Sequence, residues 1–147
     1  MPTSQNLQNW SICTCLITYW SSTSALIGFH LSNYYLLDIS NSGISDSLSN
    51  FNLVFSPQLK YMNLSYNQIS GQIPNLSLEF TFSPIVDLSS NKLSSRIPKF
   101  LFESAHLDFS KNMLSDTIFS LCEVQNGNLN FLDISNNQLS RPIPDSC

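Results

Sequence analysis

Charged side chains are scarce in this chain. Lys, Arg, Asp and Glu make up 11% of its 147 residues, against about 25% in an ordinary soluble domain. The formal net charge is −4 and no basic run is present, which argues against a nucleic-acid-binding function. Long apolar runs are missing too: none approaches the roughly 18 consecutive residues that a membrane-spanning helix needs. We therefore do not expect the chain as given to cross a membrane.

The groups that usually carry catalysis are also few. His30 and His106 are the only histidines. Neither is accompanied by a Ser-His-Asp order, a phosphate-binding glycine loop, or Cys and His at metal-ligand spacing. His106 is better interpreted as a strand-surface residue than as a general base. The sequence therefore predicts a protein that is not an enzyme and that uses no cofactor or metal.

What the chain does contain is a repeat. It is clearest at residues 59–74, LKYMNLSYNQISGQIP, where apolar residues stand three, five and eight places before Asn67 and two and six places after it. No single helix or strand period fits that spacing. The unit occurs five times, at intervals of 25, 24, 21 and 25 residues, with its asparagine column occupied by Ser42, Asn67, Asn91, Asn112 and Asn137.

Eight columns match across the five copies. Three and five residues before the asparagine every copy is apolar, and after it come an apolar column, an unbroken serine column and a second apolar column. Two apolar positions separated by one residue predict a short strand whose apolar side chains point inward and whose other side chains point outward. One such strand per repeat cannot bury its own face, so we expect the five to stack in parallel over one continuous core.

The L-x-x-L-x-L-x-x-N core and the tail at residues 69–74, ISGQIP, resemble the leucine-rich repeat. The match is to its plant extracellular subclass, which occurs in receptor-like proteins, receptor kinases and polygalacturonase-inhibiting proteins. The phrases LDISNSGISD (37–46) and LDISNNQLS (132–140) resemble the receptor-like proteins of plant immunity. The resemblance implies an α/β-type solenoid, a right-handed superhelix with a parallel β-sheet on its concave face and short 3-10 or irregular segments on its convex face. It covers residues 34–147, about five repeats, and leaves residues 1–33 as a non-repeat or degenerate N-terminal segment.

Three features predict local structure after each strand. The asparagine amide has donors and an acceptor that can satisfy backbone groups in the turn, so we expect the turn at Ser42 to be the loosest. Proline removes a donor from the Ile-Pro end of the unit, which is expected to leave the sheet. Gly71 alone matches the family's glycine, and the fold either tolerates a side chain or is strained at the other copies of this column, Asp46, Ser95, Asp116 and Arg141.

Both ends of the chain depart from the repeat. Residues 1–33 contain no charged side chain, and the apolar run at residues 10–20 lacks the positively charged start of a signal peptide, so we do not predict a working one. The chain stops at Cys147, directly after the fifth unit and without the polar cap that shields the last layer of a solenoid. We therefore expect a fragment of a larger extracellular domain, attached to a membrane only through a segment missing from this chain.

Cysteine spacing and sequons predict two kinds of modification. Cys122 and Cys147 each lie ten residues after the asparagine of their repeat, so stacking would bring their α-carbons to about 5–6 Å, within disulfide range. We predict a disulfide and an oxidising, extracytoplasmic setting, with two free thiols as the alternative. Sequons predict N-glycosylation at Asn9, Asn63 and Asn75. Asn75 follows the Ile-Pro turn and should be exposed, whereas a glycan on Asn63 would block part of the outward strand surface.

The outward strand columns are the natural binding surface of a solenoid. Four and two residues before the asparagine, the columns are nearly uniform Asp and Ser, which favours a framework role, although carboxylates about 5 Å apart could attract a basic peptide or a cation. The column six residues before it varies and contains aromatic residues, as interface anchors do. With its neighbours it predicts ligand contacts from Tyr35, Tyr61, Tyr66, His106, Lys111 and Phe131. The alternative is a solvated strand face without a ligand.

The resemblance implies a non-catalytic ligand-binding module, part of the extracellular domain of a plant receptor-like protein involved in defence signalling. Its partners would be a peptide, protein or glycan ligand and co-receptor kinases, and it would lie outside the cell or at the plasma membrane. Three alternatives stay open: the same domain on a receptor kinase, a secreted polygalacturonase-inhibitor-like protein, and a non-functional truncated product.

Overall fold

The computed structural model describes residues 36–50, 55–116 and 128–140. In them the chain forms two 3-10 helices, Leu48–Asn50 and Lys99–Glu103, and nine short strands. In chain order the strands are β1 Leu36–Asp38, β2 Tyr61–Asn63, β3 Ser70–Gln72, β4 Ile85–Asp87, β5 Lys92–Ser95, β6 His106–Asp108, β7 Met113–Asp116, β8 Phe131–Asp133 and β9 Gln138–Leu139. The proposed N-terminal segment 1–33 and the predicted disulfide between Cys122 and Cys147 lie outside the described residues.

The first strand of each repeat belongs to one parallel sheet, ordered β1-β2-β4-β6-β8. Its register always pairs residues of the same sequence column, because each strand is one whole repeat away from the next. The first residues of the strands therefore form one row, which runs through Leu36, Tyr61, Ile85, His106 and Phe131. The predicted solenoid of stacked parallel strands is confirmed, and each of its turns is called a rung below.

A second parallel sheet, ordered β3-β5-β7-β9, follows the asparagine column. The expectation of one strand per repeat is therefore wrong for repeats two to five. The sequence signal is weak here because these strands are only two to four residues long. Neighbouring strands of this sheet are also shifted by two sequence columns relative to each other, so each serine of the serine column pairs with a residue two columns earlier in the next repeat. The pairs are Ser70 with Lys92, Ser94 with Met113 and Ser115 with Gln138.

The apolar columns form one core along the stacked rungs. In the inner rungs Val86 and Leu107 are completely inaccessible to solvent. Aromatic residues outside the strands complete the core: the rings of Phe55 and Phe100 pack edge to face with centroids 5.2 Å apart, and Phe102 is fully buried. Each such side chain contributes about 1.5–3 kcal/mol relative to an exposed one. In the fifth repeat the same columns are only partly buried, at Leu132, Ile134 and Leu139.

The asparagine column ties each rung to the one before it. In Asn67, Nδ2 donates to the carbonyl oxygen of Leu64 in its own turn (2.9 Å) and to that of Ile39 in the preceding rung (3.0 Å). Its Oδ1 accepts the amide N–H of Ile44 from the preceding rung at 3.0 Å. The predicted role of the amide is confirmed. Ser42, in the same column, is exposed and its hydroxyl donates to the nearby carbonyl oxygen of Ser40. The looseness expected of its turn stays a prediction.

The residue before the asparagine column has a left-handed backbone in every rung. The φ angles lie between 49° and 56° at Asn41, Tyr66, Ser90, Lys111 and Asn136. Side chains other than Asn and Asp rarely adopt this conformation, which costs about 1–2 kcal/mol. Because all five rungs share it, the conformation belongs to the framework of the turn, and only the identity of the side chain that the turn presents differs between rungs.

The glycine column shows whether a side chain at this position is tolerated or strains the backbone. Gly71 has φ +85°, and a Cβ built on it would lie 2.5 Å from the hydroxyl oxygen of Ser47. Ser95, in the same column one repeat later, has φ +79°. Of the two possibilities raised by the sequence, strain is therefore the correct one at Ser95.

Candidate binding face

The outer face of the first sheet carries the residues that alternate with the buried columns. The first residue of each strand forms a row that we call the outer stripe, made of Leu36, Tyr61, Ile85, His106 and Phe131. Leu36, Ile85 and Phe131 are 53%, 42% and 43% exposed, and Tyr61 and His106 are half-buried. Strand alternation places these side chains outward because Leu37, Met62 and the equivalent residues are taken into the core.

Two of the predicted ligand contacts touch each other. The rings of His106 and Phe131 are stacked, with centroids 4.1 Å apart and planes 10° apart. Their contact follows from the register, which makes them cross-strand neighbours. Tyr61 lies on the same stripe but is separated from His106 by the rung of Ile85. His106 therefore presents a stacked imidazole within an apolar row.

A row of four aspartates and one asparagine runs beside the outer stripe. We call it the acidic row, and it consists of Asp38, Asn63, Asp87, Asp108 and Asp133. In every rung Oδ1 accepts the backbone N–H of the serine two residues later, at 2.8–3.0 Å. A side chain used identically in each rung supports the framework role inferred from the uniform column. The prediction that the serine column also points outward is wrong in the three middle rungs, where Ser65, Ser89 and Ser110 are buried, because each strand ends at the acidic row and its alternation does not continue. The pKa of Asp133 is lowered, chiefly by the hydrogen bond from the backbone amide of Ser135. The Ser135 hydroxyl and the positive charge of Lys111 lower it further.

Tyr66 and Lys111 lie apart from the outer stripe, in the left-handed turns beyond the strands. Tyr66 is 61% exposed, and its backbone N–H donates to the carbonyl oxygen of Ser89 at 3.1 Å. Lys111 is exposed and its N–H donates to the carbonyl oxygen of Ser135 at 2.9 Å. The turn thus fixes their backbones and leaves their side chains free to reach outward. Tyr35 lies outside the described residues.

Sequence reasoning did not nominate some residues that the structure exposes. Leu36 and Ile85 belong to the outer stripe, and the sequence predicts their column to point outward, but the predicted ligand contacts did not include them. Phe82 is 42% exposed and its ring lies under the Lys60 ammonium, with Nζ 4.4 Å from the centroid. Phe82 occupies a connection between rungs, so no column marks it. Met113 on the second sheet is exposed as well.

The predicted modification sites differ in their surroundings. Asn75 is exposed, as expected, and lies outside both sheets. Asn63 is half-buried on the outer face, where its side-chain amide contacts Tyr61 and Ser65. Asn9 lies outside the described residues. Glycosylation at all three stays a prediction.

A cavity of about 280 Å³ is lined by residues that belong to neither sheet, namely Glu79, Phe80, Ser83, Glu103 and Asn128. Across residues 36–50, 55–116 and 128–140, no three His, Cys, Asp or Glu side chains are grouped so as to hold a metal ion. Over the same ranges, no helix has the length and apolar character needed to span a membrane.

Comparison with known proteins supplies the family. The family model described as Leucine Rich Repeat matches residues 58–78 and 128–147. Over 114 residues the chain is 38% identical to Receptor-like protein EIX2 of Solanum lycopersicum; the match covers 78% of this chain and 11% of that protein. The chain thus spans about a tenth of that relative's length.

Two solved structures from Arabidopsis thaliana share the fold. The BIR2 ectodomain matches with a TM-score of 0.59 and 28% identity, over 74% of this chain and 58% of that one. A chain of the BIR3–SERK2 complex matches with a TM-score of 0.50 and 31% identity, over 60% and 49%. The repeat, the solenoid and these similarities together show that the chain belongs to the leucine-rich repeat family, with repeats of the type found in plant receptor-like proteins.

Proposed function

We propose that this chain is part of the extracellular domain of a plant receptor-like protein and serves there as a non-catalytic protein-interaction module in defence signalling. The observation that carries the proposal is the outer stripe. Leu36, Ile85 and Phe131 are exposed in it and Tyr61 and His106 are half-buried, beside a row that repeats Asp almost without change. Contiguous exposed apolar surface marks interaction sites. The similarity to receptor-like proteins supports a cell-surface setting.

The outer stripe runs across the whole first sheet. Five strands about 4.8 Å apart give it a length of roughly 19 Å. The stacked rings of His106 and Phe131 form its most rigid part, because each ring limits the rotation of the other. Aromatic residues held in this way lose little entropy on binding and tend to dominate binding energy. We therefore assign the main anchor to His106 and Phe131.

The partner class includes co-receptor kinases, and SERK2 is a suitable probe because a chain of the BIR3–SERK2 complex shares this fold. We expect immobilised SERK2 ectodomain to bind the chain saturably and Phe131→Ala to weaken binding about tenfold, equivalent to 1.4 kcal/mol. Tyr61→Ala should weaken it less. Gln138→Ala, an exposed residue on the second sheet, serves as the control. Absence of binding would refute the co-receptor assignment, and unchanged affinity in Phe131→Ala would refute the stripe as the site.

The defence role has its own test. Leaves with and without an intact copy of the gene are treated with microbial extracts, and the burst of reactive oxygen species is compared. A smaller burst in the disrupted plants is the expected result. Equal bursts with every extract would contradict a role in perception.

A secreted inhibitor of cell-wall-degrading enzymes is a second candidate, and the acidic row favours it. Its four carboxylates lie on the outer face, where they would attract a basic enzyme. The test is the activity of a basic polygalacturonase with increasing amounts of the chain, repeated with Asp87→Asn and Asp108→Asn. Inhibition that weakens in these variants would support the inhibitor, whereas full enzyme activity throughout would exclude it.

A further inference from the structure

We propose that Asn63 carries an N-linked glycan, and that this glycan restricts the partner to the part of the outer stripe formed by Ile85, His106 and Phe131. The first part stands on the sequence and on the geometry around Asn63. The second part rests on the proposed function, because it concerns where a partner binds.

Asn63 is the exception in the acidic row. It is the one position of the row that is Asn and not Asp, and it begins the sequon Asn63-Leu64-Ser65. Its strand neighbour Met62 is buried, so the Asn63 side chain lies on the outer face. A glycan attached here would therefore project from the same face as the outer stripe.

The hydrogen bonds of Asn63 are compatible with a sugar. Its Oδ1 accepts the backbone N–H of Ser65 at 3.0 Å and the Ser65 hydroxyl at 2.7 Å. Its Nδ2 donates to the hydroxyl oxygen of Tyr61 at 3.2 Å. The amide nitrogen has two hydrogens, and the contacts between the described residues use only one of them. Replacing the other hydrogen by a sugar breaks none of these bonds.

The asparagines of the repeat column show the opposite situation. Nδ2 of Asn91 donates to three carbonyl oxygens, those of Leu64, Leu88 and Ser89, and the side chain is buried. A sugar would displace part of that network. None of the column asparagines lies in a sequon, whereas Asn63 does. The sequence thus offers a glycan acceptor where the fold accommodates one.

The reaction must precede folding. An oligosaccharide linked to a lipid diphosphate is the donor: a bond forms between Asn63 Nδ2 and C1 of the first sugar, the bond from C1 to the diphosphate oxygen breaks, and one amide proton is released. The Ser65 hydroxyl that completes the sequon is on a residue only 3% exposed in the folded chain. The transfer therefore takes place on the unfolded chain in the secretory pathway.

The glycan would divide the outer stripe. Asn63 contacts Tyr61 directly, so the first sugars cover the second rung and hinder access to Tyr61. Ile85, His106 and Phe131 lie on the three following rungs, which hold the stacked rings and three of the four carboxylates of the acidic row. A partner meets this part of the face unobstructed.

The test uses secreted protein and requires no partner. The chain is produced in plant cells behind a secretion leader, and the occupancy of Asn63 is measured by mass spectrometry of glycopeptides. Nitration of Tyr61 by tetranitromethane is then compared between the wild type and Asn63→Asp, which places the residue of the other four rungs in this position. Ser77→Ala removes the Asn75 sequon outside the sheets and is the matched control.

We expect Asn63 to be occupied and Tyr61 to be nitrated several-fold faster in Asn63→Asp, with no change in Ser77→Ala. The new carboxylate disfavours the phenolate that tetranitromethane attacks, so its charge opposes the expected increase and does not imitate it. Recovery of Asn63 unmodified would overturn the glycan. Occupied Asn63 with equal nitration rates would overturn the shielding. Both results leave the SERK2 test untouched, so failure of this inference and failure of the proposed function are distinguishable.

Discussion

The asparagine column makes a sharp prediction at Asn91. Its side chain is buried, with 8% of the residue exposed. Oδ1 accepts the amide N–H of Ile69 at 3.0 Å, and Nδ2 donates to the carbonyl oxygens of Leu64, Leu88 and Ser89 at 3.0–3.2 Å. Asn91→Ala removes all four bonds while leaving the strands and the apolar columns unaltered.

The four hydrogen bonds do not contribute equally to stability. The carbonyl oxygen of Leu64 keeps a bond from Asn67, that of Leu88 keeps one from Asn112, and that of Ser89 keeps the N–H of Tyr66. The N–H of Ile69 keeps no partner among the described residues, and Ile69 is 1% exposed. A buried donor left without a partner costs about 1–3 kcal/mol. With the weakened carbonyl contacts we expect Asn91→Ala to lower the free energy of unfolding by about 2–4 kcal/mol.

Asn91→Asp tests the donor role of the Asn91 side chain separately from its acceptor role. The variant keeps an oxygen for the Ile69 N–H but directs a second oxygen at three carbonyl oxygens, so the ionised form is repelled. The pKa of the introduced carboxyl is therefore raised in the folded state. The folded protein then binds a proton that the unfolded chain releases, so the variant loses stability as pH rises from the unfolded pKa through the folded one. Its deficit relative to the wild type should shrink in acid.

Urea unfolding followed by far-UV circular dichroism measures both effects, and amide hydrogen exchange reports the Ile69 N–H directly. Asn130→Ala is the control, because the Asn130 side chain is exposed. We expect its effect to stay within about 0.5 kcal/mol, as at ordinary surface sites. An equally small effect for Asn91→Ala, with Ile69 protection unchanged, would show that the asparagine column does not hold the rungs together.

Three further changes test separate features. Gly71→Ala should destabilise by about 1–2 kcal/mol through its positive φ and by more through the close approach to the Ser47 hydroxyl, which lowers the urea midpoint. Ser104→Ala should stabilise by about 1 kcal/mol, because its fully buried hydroxyl has no hydrogen-bond partner among the described residues; the thermal midpoint should rise. Asp133→Asn should make the protein less sensitive to acid. The Ser135 amide is the chief cause that lowers the pKa of Asp133 in the folded protein. The ionised carboxylate therefore stabilises the fold above the pKa of the unfolded chain, and this stability is lost as pH falls through the folded pKa.

Gly71→Ala and Asp133→Asn each have a reference residue within the chain. Gly43 has φ +68° and open space where a Cβ would lie, so Gly43→Ala measures backbone strain without the steric contact. Equal losses of stability in the two glycine variants would show that the contact with Ser47 adds no cost. A fall in stability for Ser104→Ala would mean that the hydroxyl is satisfied. For Asp133→Asn the reference is Asn63, whose neutral side chain accepts the equivalent amide in its own rung, that of Ser65. If the loss of stability in acid is the same in Asp133→Asn as in the wild type, Asp133 does not contribute to the pH dependence of stability.

Much of the fold follows from the repeat columns, since each column has the same environment at every rung. Apolar residues three and five places before the asparagine predict the buried side of the first sheet, and Met62 and Leu64 show it at 2% and 0% exposure. The asparagine side chain was predictable as a partner for backbone groups in its own turn. That its Oδ1 reaches the amide of the preceding rung was not, because a column pattern contains no information on bonds between residues more than twenty positions apart.

The candidate site was predictable in part. Tyr61, His106 and Phe131 were assigned to an outward column, and the structure places them on the outer face. The stacking of His106 on Phe131 depends on register and ring orientation, and the cation–π contact of Lys60 with Phe82 joins a strand to an irregular connection. Neither contact has a sequence signature, because each depends on how segments from different repeats meet.

The sequence by itself determined the number of repeats, the first parallel sheet, its buried and outward columns and the residues that line its outer face. The reason is that a side-chain alternation repeated at a nearly constant interval has one solution, in which equal columns stack. The tertiary structure alone decided the second sheet and its two-residue stagger, the left-handed turns before each asparagine, and the contacts along the outer stripe. These features depend on hydrogen bonds and packing between rungs, which exist only once neighbouring repeats have stacked.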